Sequence, residues 1–243
     1  MKILSHILSP IFVLAFFLIL IICHPIQWIA IKVFGYQAHK NVVDYMNWFL
    51  VKSLLILGIR VKVEMPKNLP AGVPVIFTSN HQSLFDIPPM IWSFRKYHPK
   101  FVSKIELAKG VPSVSFNLRY GGACLIDRKD PKQALGALSN FAKKIQKENW
   151  STVIFPEGTR SRTGVPKAFS PNGLKMLVKR NPNAMVVPVT VNNSWCVFRF
   201  GKYPLGLGKP ITIKAHEPIA VIDYNFDELL DLTETTVKET IAV

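Results

Sequence analysis

Acids are scarce in this chain, and over its first thirty residues so is charge of either sign. The 243 residues carry fifteen Asp and Glu against thirty Lys and Arg, a net charge of +15. Seven of the acids fall after His216, so residues 1–216 hold eight acids and twenty-nine bases. A surface with that balance attracts anions: nucleic acid, phosphorylated small molecules, an acidic carrier protein or an anionic leaflet. Cysteine is also sparse. Cys23, Cys124 and Cys196 share neither C-x-x-C nor metal-ligand spacing, which argues against a disulfide framework, a redox pair or a zinc site. Cys23 lies in an apolar run and the other two read as strand residues, so buried free thiols are expected, as suits a domain facing the cytosol. There is no Walker motif, no G-x-S-x-G elbow and no clustered metal-ligating set, which leaves phosphate-loop, serine-hydrolase and metal-site chemistry without a sequence basis. Basic runs are not interleaved with aromatics and no nucleic-acid motif is recognisable.

What the chain has in plenty is an apolar start. No Asp, Glu, Lys or Arg separates Lys2 from Lys32, and Ile11–Cys23 is apolar without a break. As a helix, Ile3 to Cys23 would extend about 31 Å, close to the thickness of bilayer hydrocarbon. A cleaved signal peptide would need a small-x-small site, but the run ends Ile21-Ile22-Cys23-His24-Pro25. We read it as a retained anchor, either spanning or embedded in one leaflet, with the basic bulk downstream on the cytoplasmic side. Ser5, His6, Ser9 and Pro10 weaken its first turns, and Pro25 separates it from an interfacial segment, 26–34. A second apolar helix over 41–57, ended by Gly58, either joins the anchor or packs on the domain core.

From Ile59 the pattern becomes strand–helix alternation, dividing the chain into a membrane-anchoring element (1–57) and an α/β domain (58–243). Strands are expected at 59–64, 73–79, 101–104, 122–127, 151–156, 185–191 and 211–215. Helices are expected at 131–148, opened by Pro131 with a face of Ala134, Leu135, Leu138, Phe141, Ala142 and Ile145; at 171–180, capped by Ser170; and at 226–241. Continuously apolar strands separated by helices mean a largely parallel sheet covered by helices.

Ligands of such sheets sit beyond the strands' carboxyl ends. Two polar clusters lie there. In Asn80-His81-Gln82-Ser83-Leu84-Phe85-Asp86, residues five apart on one continuous helix would point about 140° from each other. His81 and Asp86 therefore meet only if His81 sits in the turn and Asp86 in the first helical turn. Together they would be a general base and its orienter. The same residues also suit a helix cap with an incidental His. In the second cluster, Phe155 to Arg162, Gly158 permits close backbone approach, Thr159 and Ser161 offer hydroxyls, and Arg160 offers a fork suited to phosphate; a solvated basic turn is the alternative. Lys104 with Glu106, and Asp127 with Arg128, read as surface pairs when taken alone. In a parallel sheet, however, His81, Lys104, Arg128 and Arg160 would line one site.

In order, NHQSLFD, KIEL with GGACLIDR, FPEGTRS and Val187-Pro188-Val189 resemble the four motifs of the glycerolipid acyltransferases, nearest to those acting on 1-acyl-glycerol-3-phosphate. The resemblance spans about residues 40–215, and the first and third motifs together are highly specific. It implies His81 as general base, oriented by Asp86, and acceptor binding by Glu157, Gly158, Thr159 and Arg160. Arg160 and Lys104 would sit at the acceptor's phosphate. It implies transfer of a fatty acyl group from acyl-CoA or acyl-carrier protein, with no metal or other cofactor, to lysophosphatidate at a membrane, giving phosphatidate. Another lysophospholipid or a lyso-ornithine lipid is the alternative acceptor. A basic membrane-tethered nucleic-acid-binding protein is the alternative of another class, and it would leave both strand-end clusters unexplained. One position departs from the family pattern: Ser115 stands where a Gly usually follows Pro112.

Overall fold

A computed structural model describes residues 2–70 and 72–242; Met1, Ala71 and Val243 lie outside the described residues. The chain begins with α1 (Lys2–Ile29), a π turn over Ala30–Phe34, and α2 (Tyr36–Ser53), which tightens into a 3₁₀ turn and stops at Gly58 in the left-handed conformation. Then follow β1 (Val61–Glu64), β2 (Val75–Ser79), α3 (Ile87–Ser93), β3 (Pro99–Lys104), α4 (Val114–Tyr120), β4 (Cys124–Ile126) and α5 (Pro131–Glu148). The remainder is β5 (Ser151–Ile154), α6 (Pro171–Arg180), β6 (Met185–Asn192), β7 (Ile211–Ala215), β8 (Ile219–Ala220) and α7 (Phe226–Glu239).

The strands form one sheet ordered β1-β7-β6-β2-β5-β3-β4, with β8 beside β6. Strands β6, β2, β5, β3 and β4 are mutually parallel, so their carboxyl ends share one rim. Strand β7 runs antiparallel to β6, and β1 follows β7. Pleating sends alternate side chains to opposite faces. Phe77, Val153 and Val187 enter one core with Val43, Leu54 and Met90 of the α2–α3 layer; Ile76, Ile154 and Val186 enter another with Leu138, Phe141, Leu174 and Leu229 of the α5–α7 layer. The sheet is thus sandwiched between two helical layers.

The first 57 residues share the core of the α/β domain. Phe12 of α1 is buried and meets Phe85 edge-on at 5.6 Å, and Phe16 meets the same ring at 6.0 Å. Such aromatic pairs contribute roughly 0.5–1.5 kcal/mol beyond their area. Pro25 does not break the helix, contrary to the sequence reading, and α1 continues to Ile29. Nor do the polar residues near its start fray it. Pro10 lacks the N–H that would bond the His6 carbonyl, and the Tyr203 hydroxyl donates to that carbonyl instead at 3.0 Å. Ser9 Oγ takes the Leu205 N–H at 2.8 Å, and Ser113 donates to the Leu20 carbonyl at 2.6 Å. α1 is therefore docked along most of its length. Its other face is bare: Ile3 is 80% exposed and Leu14 69%, and Phe34 of the π turn that follows is 72% exposed. Lys2–Phe34 is the one helical stretch, among the described residues, long and apolar enough to cross a membrane. α2 begins at Tyr36, earlier than position 41; it buries Val43 in the sheet-facing core and Met46 and Leu50 against Leu20 of α1, so it packs on the domain and joins α1 at once.

Helices α5 and α6 occupy the expected spans, but Leu135 is exposed and Ser170 makes no capping bond; Asp130 caps α5 through the Gln133 N–H. α4 and β8 lay outside the sequence reading, and Cys196 sits in a 3₁₀ turn (Ser194–Phe198), not in a strand. At the amino-terminal end of the sheet, Lys100 is 7% exposed. It donates to the Tyr36 hydroxyl and lies over the rings of Tyr36 and Trp150, at 5.0 and 4.6 Å. Burial and the neighbouring Lys40 pull its amine down to about 7.

Candidate active site

β2 lies between β5 and β6, so three polar loops crowd the rim where it ends. The first carries His81 immediately after the strand. Ser83 then caps a 3₁₀ turn over Leu84–Asp86, in which Asp86 closes a capping box. This is the geometry in which residues 81 and 86 can touch. His81 Nδ1 lies 2.7 Å from Asp86 Oδ2, with the imidazole 18% exposed and the carboxylate fully buried.

Asp86 is held by four donors. Oδ2 also accepts the Gln82 N–H at 2.8 Å and the Ser83 N–H at 3.0 Å, while Oδ1 accepts the Ser194 hydroxyl from the loop after β6. A carboxylate so committed is an acceptor toward His81, which places the imidazole proton on Nδ1. Nε2 then keeps its lone pair, and no protein group among the described residues bonds it. The ring stacks on Phe155 at 4.1 Å and 17°. Gln82 adds a tie to each neighbouring loop, donating to the Gly164 carbonyl at 3.2 Å and accepting the Ser194 N–H at 3.1 Å.

The loop after β5 grips His81 by its main chain. Glu157 Oε1 accepts the His81 N–H at 2.7 Å, and the Ser161 N–H donates to the His81 carbonyl at 2.7 Å. Glu157 Oε2 accepts the Lys167 N–H at 2.9 Å. Burial raises the Glu157 carboxyl, and these two backbone bonds partly offset it. Both oxygens thus serve loop geometry, a role the sequence did not suggest. Gly158 has φ +68° with open space where a side chain would project, and its carbonyl accepts Arg128 Nη1. Thr159 Oγ1 accepts Lys167 Nζ at 2.6 Å. Lys104 and Arg160 are exposed and make no side-chain bond among the described residues; Lys104 ends β3 on the shared rim, and Arg160 directly precedes Ser161.

The structure therefore joins His81, Asp86 and Glu157 in one network, and Arg128 to Gly158, while Thr159 pairs with Lys167. It leaves Lys104 and Arg160 as unengaged cations at the rim. Ser194, Phe155, Gln82 and Lys167 were not singled out in the sequence. Gln82 and Phe155 lay within the two strand-end clusters without a role of their own, and Ser194 had only its strand-end position as a signal, its partner being 108 positions away. Cys124 and Cys196 are buried free thiols, and burial pushes Cys124 up to about 12, far from a thiolate nucleophile. Ser115 is buried, its hydroxyl donating to the Leu107 carbonyl at 2.9 Å and accepting the Val111 N–H at 3.0 Å.

The family model described as Acyltransferase matches residues 60–192. A 1-acyl-sn-glycerol-3-phosphate acyltransferase of Borreliella burgdorferi is 30% identical over 142 residues, 58% of this chain and 55% of that protein. One of Pseudomonas aeruginosa is 29% identical over 207 residues, covering 83% and 76%. The chain spans about half the length of several curated relatives it matches. The crystal structure of the 1-acyl-sn-glycerophosphate acyltransferase from Thermotoga maritima has the same fold, with a TM-score of 0.79 over 98% of this chain and 96% of that one, at 23% identity.

Proposed function

Because the chain belongs to the acyltransferase family, we propose that it acylates the free sn-2 hydroxyl of 1-acyl-glycerol-3-phosphate from an acyl thioester, giving phosphatidate. The observation that carries this reading is the His81–Asp86 pair on the rim, with Nε2 unbonded. A thioester is already activated, so no acyl-enzyme is needed. His81 Nε2 takes the hydroxyl proton as the oxygen attacks the thioester carbon, and Asp86 stabilises the imidazolium. The C–S bond then breaks and the proton passes to the leaving sulfur. Such general-base help supplies about 10²–10⁴-fold, and positioning supplies more. Arg160, with Lys104, binds the acceptor's phosphate, and acyl-CoA or acyl-carrier protein is the donor. The bare apolar face of α1 seats the protein in a membrane, with the rim on the cytoplasmic side.

Arg160→Lys tests the acceptor. Lys keeps the charge but not the bidentate fork, so KM for lysophosphatidate should rise about ten-fold while the donor's KM holds. Lysophosphatidylcholine should be a poor substrate of the wild type and lose less on mutation. Equal use of both acceptors by the wild type, or an equal penalty from the substitution, would favour a broader lysophospholipid acyltransferase.

A further inference from the structure

The two helical layers differ in what they show to the outside. The α1–α3 layer carries the bare apolar face of α1, while the α5–α7 layer, on the opposite side of the sheet, is charged and segregated by sign. α5 exposes Lys132, Lys143 and Lys147. At 100° per residue these fall within about 60° of one another, directly opposite the buried stripe of Leu138, Phe141, Ala142 and Ile145. No acid shares their stripe. The neighbouring α6 exposes Lys175, Lys179 and Arg180, and beyond it α7 turns acidic with Asp227, Glu228, Asp231 and Glu239 exposed. The amino end of α5 adjoins the rim, where Arg128 already reaches Gly158.

We propose that the basic stripe of α5 is a docking surface for an acidic acyl carrier protein, which delivers the thioester to His81 from the side of the sheet opposite the membrane. The proposal rests on the reaction assigned above. A lipid acceptor reaches the rim from the α1 side, so a water-soluble donor has the other side open to it. An anionic leaflet against the bare face of α1 does not reach Lys143 and Lys147 across the sheet. The phosphates of a nucleotide thioester need only the cations nearest the rim. The stripe from Lys132 to Lys147 runs about 22 Å, the dimension of an acidic helix on a protein partner. Acidic α7 repels such a partner and so bounds the surface on its far side.

The test uses the full chain in detergent, with saturating lysophosphatidate and either palmitoyl-loaded acyl carrier protein or palmitoyl-CoA as donor. The triple substitution Lys132→Glu, Lys143→Glu and Lys147→Glu should lower kcat/KM for the carrier-bound donor about ten-fold or more, through KM, and change palmitoyl-CoA turnover by less than about two-fold. Added salt should weaken the wild-type reaction with the carrier and leave the variant nearly flat. Equal loss with both donors, no loss with the carrier, or a wild type that turns over only palmitoyl-CoA overturns the docking surface alone. Failure of both donors to acylate lysophosphatidate removes the proposed reaction together with it.

Discussion

Asp86→Asn separates what the carboxylate does by shape from what it does by charge. An amide cannot present its NH₂ to the Oδ2 position, where three N–H groups converge from His81, Gln82 and Ser83. The side chain must place its oxygen there and its NH₂ toward Ser194, whose hydroxyl can rotate to accept. Every hydrogen bond survives, as does the His81 tautomer. What is lost is the negative charge facing the imidazolium. With charge centres roughly 4 Å apart and an effective dielectric near 20, the interaction is about 4 kcal/mol, or a factor of about 10³ in rate. The variant should therefore melt within a few degrees of the wild type and show kcat lowered about a thousand-fold, with KM for both substrates little changed. Added to His81→Ala, it should cost almost nothing more, because the two residues act as a unit. Steady-state kinetics alongside a thermal melt decides the matter. A folded Asp86→Asn protein retaining more than about a tenth of wild-type kcat would show that imidazolium stabilisation is not what Asp86 supplies.

Ser194→Ala leaves Asp86 Oδ1 buried without its donor, so it should cost about 1.5–3 kcal/mol of stability and lower kcat as Asp86 loosens; an unchanged melting temperature would contradict this. For Lys100, the folded amine at about 7 lies below its ordinary 10.5, so the fold favours the neutral form and stability rises with pH across that window. Lys100→Met should flatten this slope, with its advantage over the wild type greatest below pH 7 and shrinking toward 10.5 in denaturant titrations; a difference independent of pH would refute it.

Local chemistry made much of this legible in advance. α5 and α6 begin at a proline and carry one apolar stripe each, signals contained within a single element. Helix geometry set the condition under which His81 and Asp86 can meet, a turn followed by a first helical turn, and the resemblance implied that they do; the residues alone suited a helix cap equally well. The reversal of β7 and β1 left no mark in sequence, since a buried strand reads the same in either direction. Pro25 misled because a proline's lost bond is local whereas the packing that keeps α1 continuous is not. Ser194 and the two-handed use of Glu157 were hidden for the same reason: each is defined by a partner in a distant loop.

Glu157 and Ser161 hold the main chain of His81 from both sides, and Arg160 lies between them in sequence. On the proposed reaction, the loop that would meet the acceptor and the turn that holds His81 are therefore one mechanical part made from two stretches of chain. Transplanting residues 155–162 from a relative with a different head-group preference, without its own 80–86 turn, would alter specificity and disturb the base in the same stroke. Diversification of acceptor choice on this scaffold should accordingly proceed by paired change in the two loops, or by substitutions confined to side chains, such as Arg160, that carry none of the clamp.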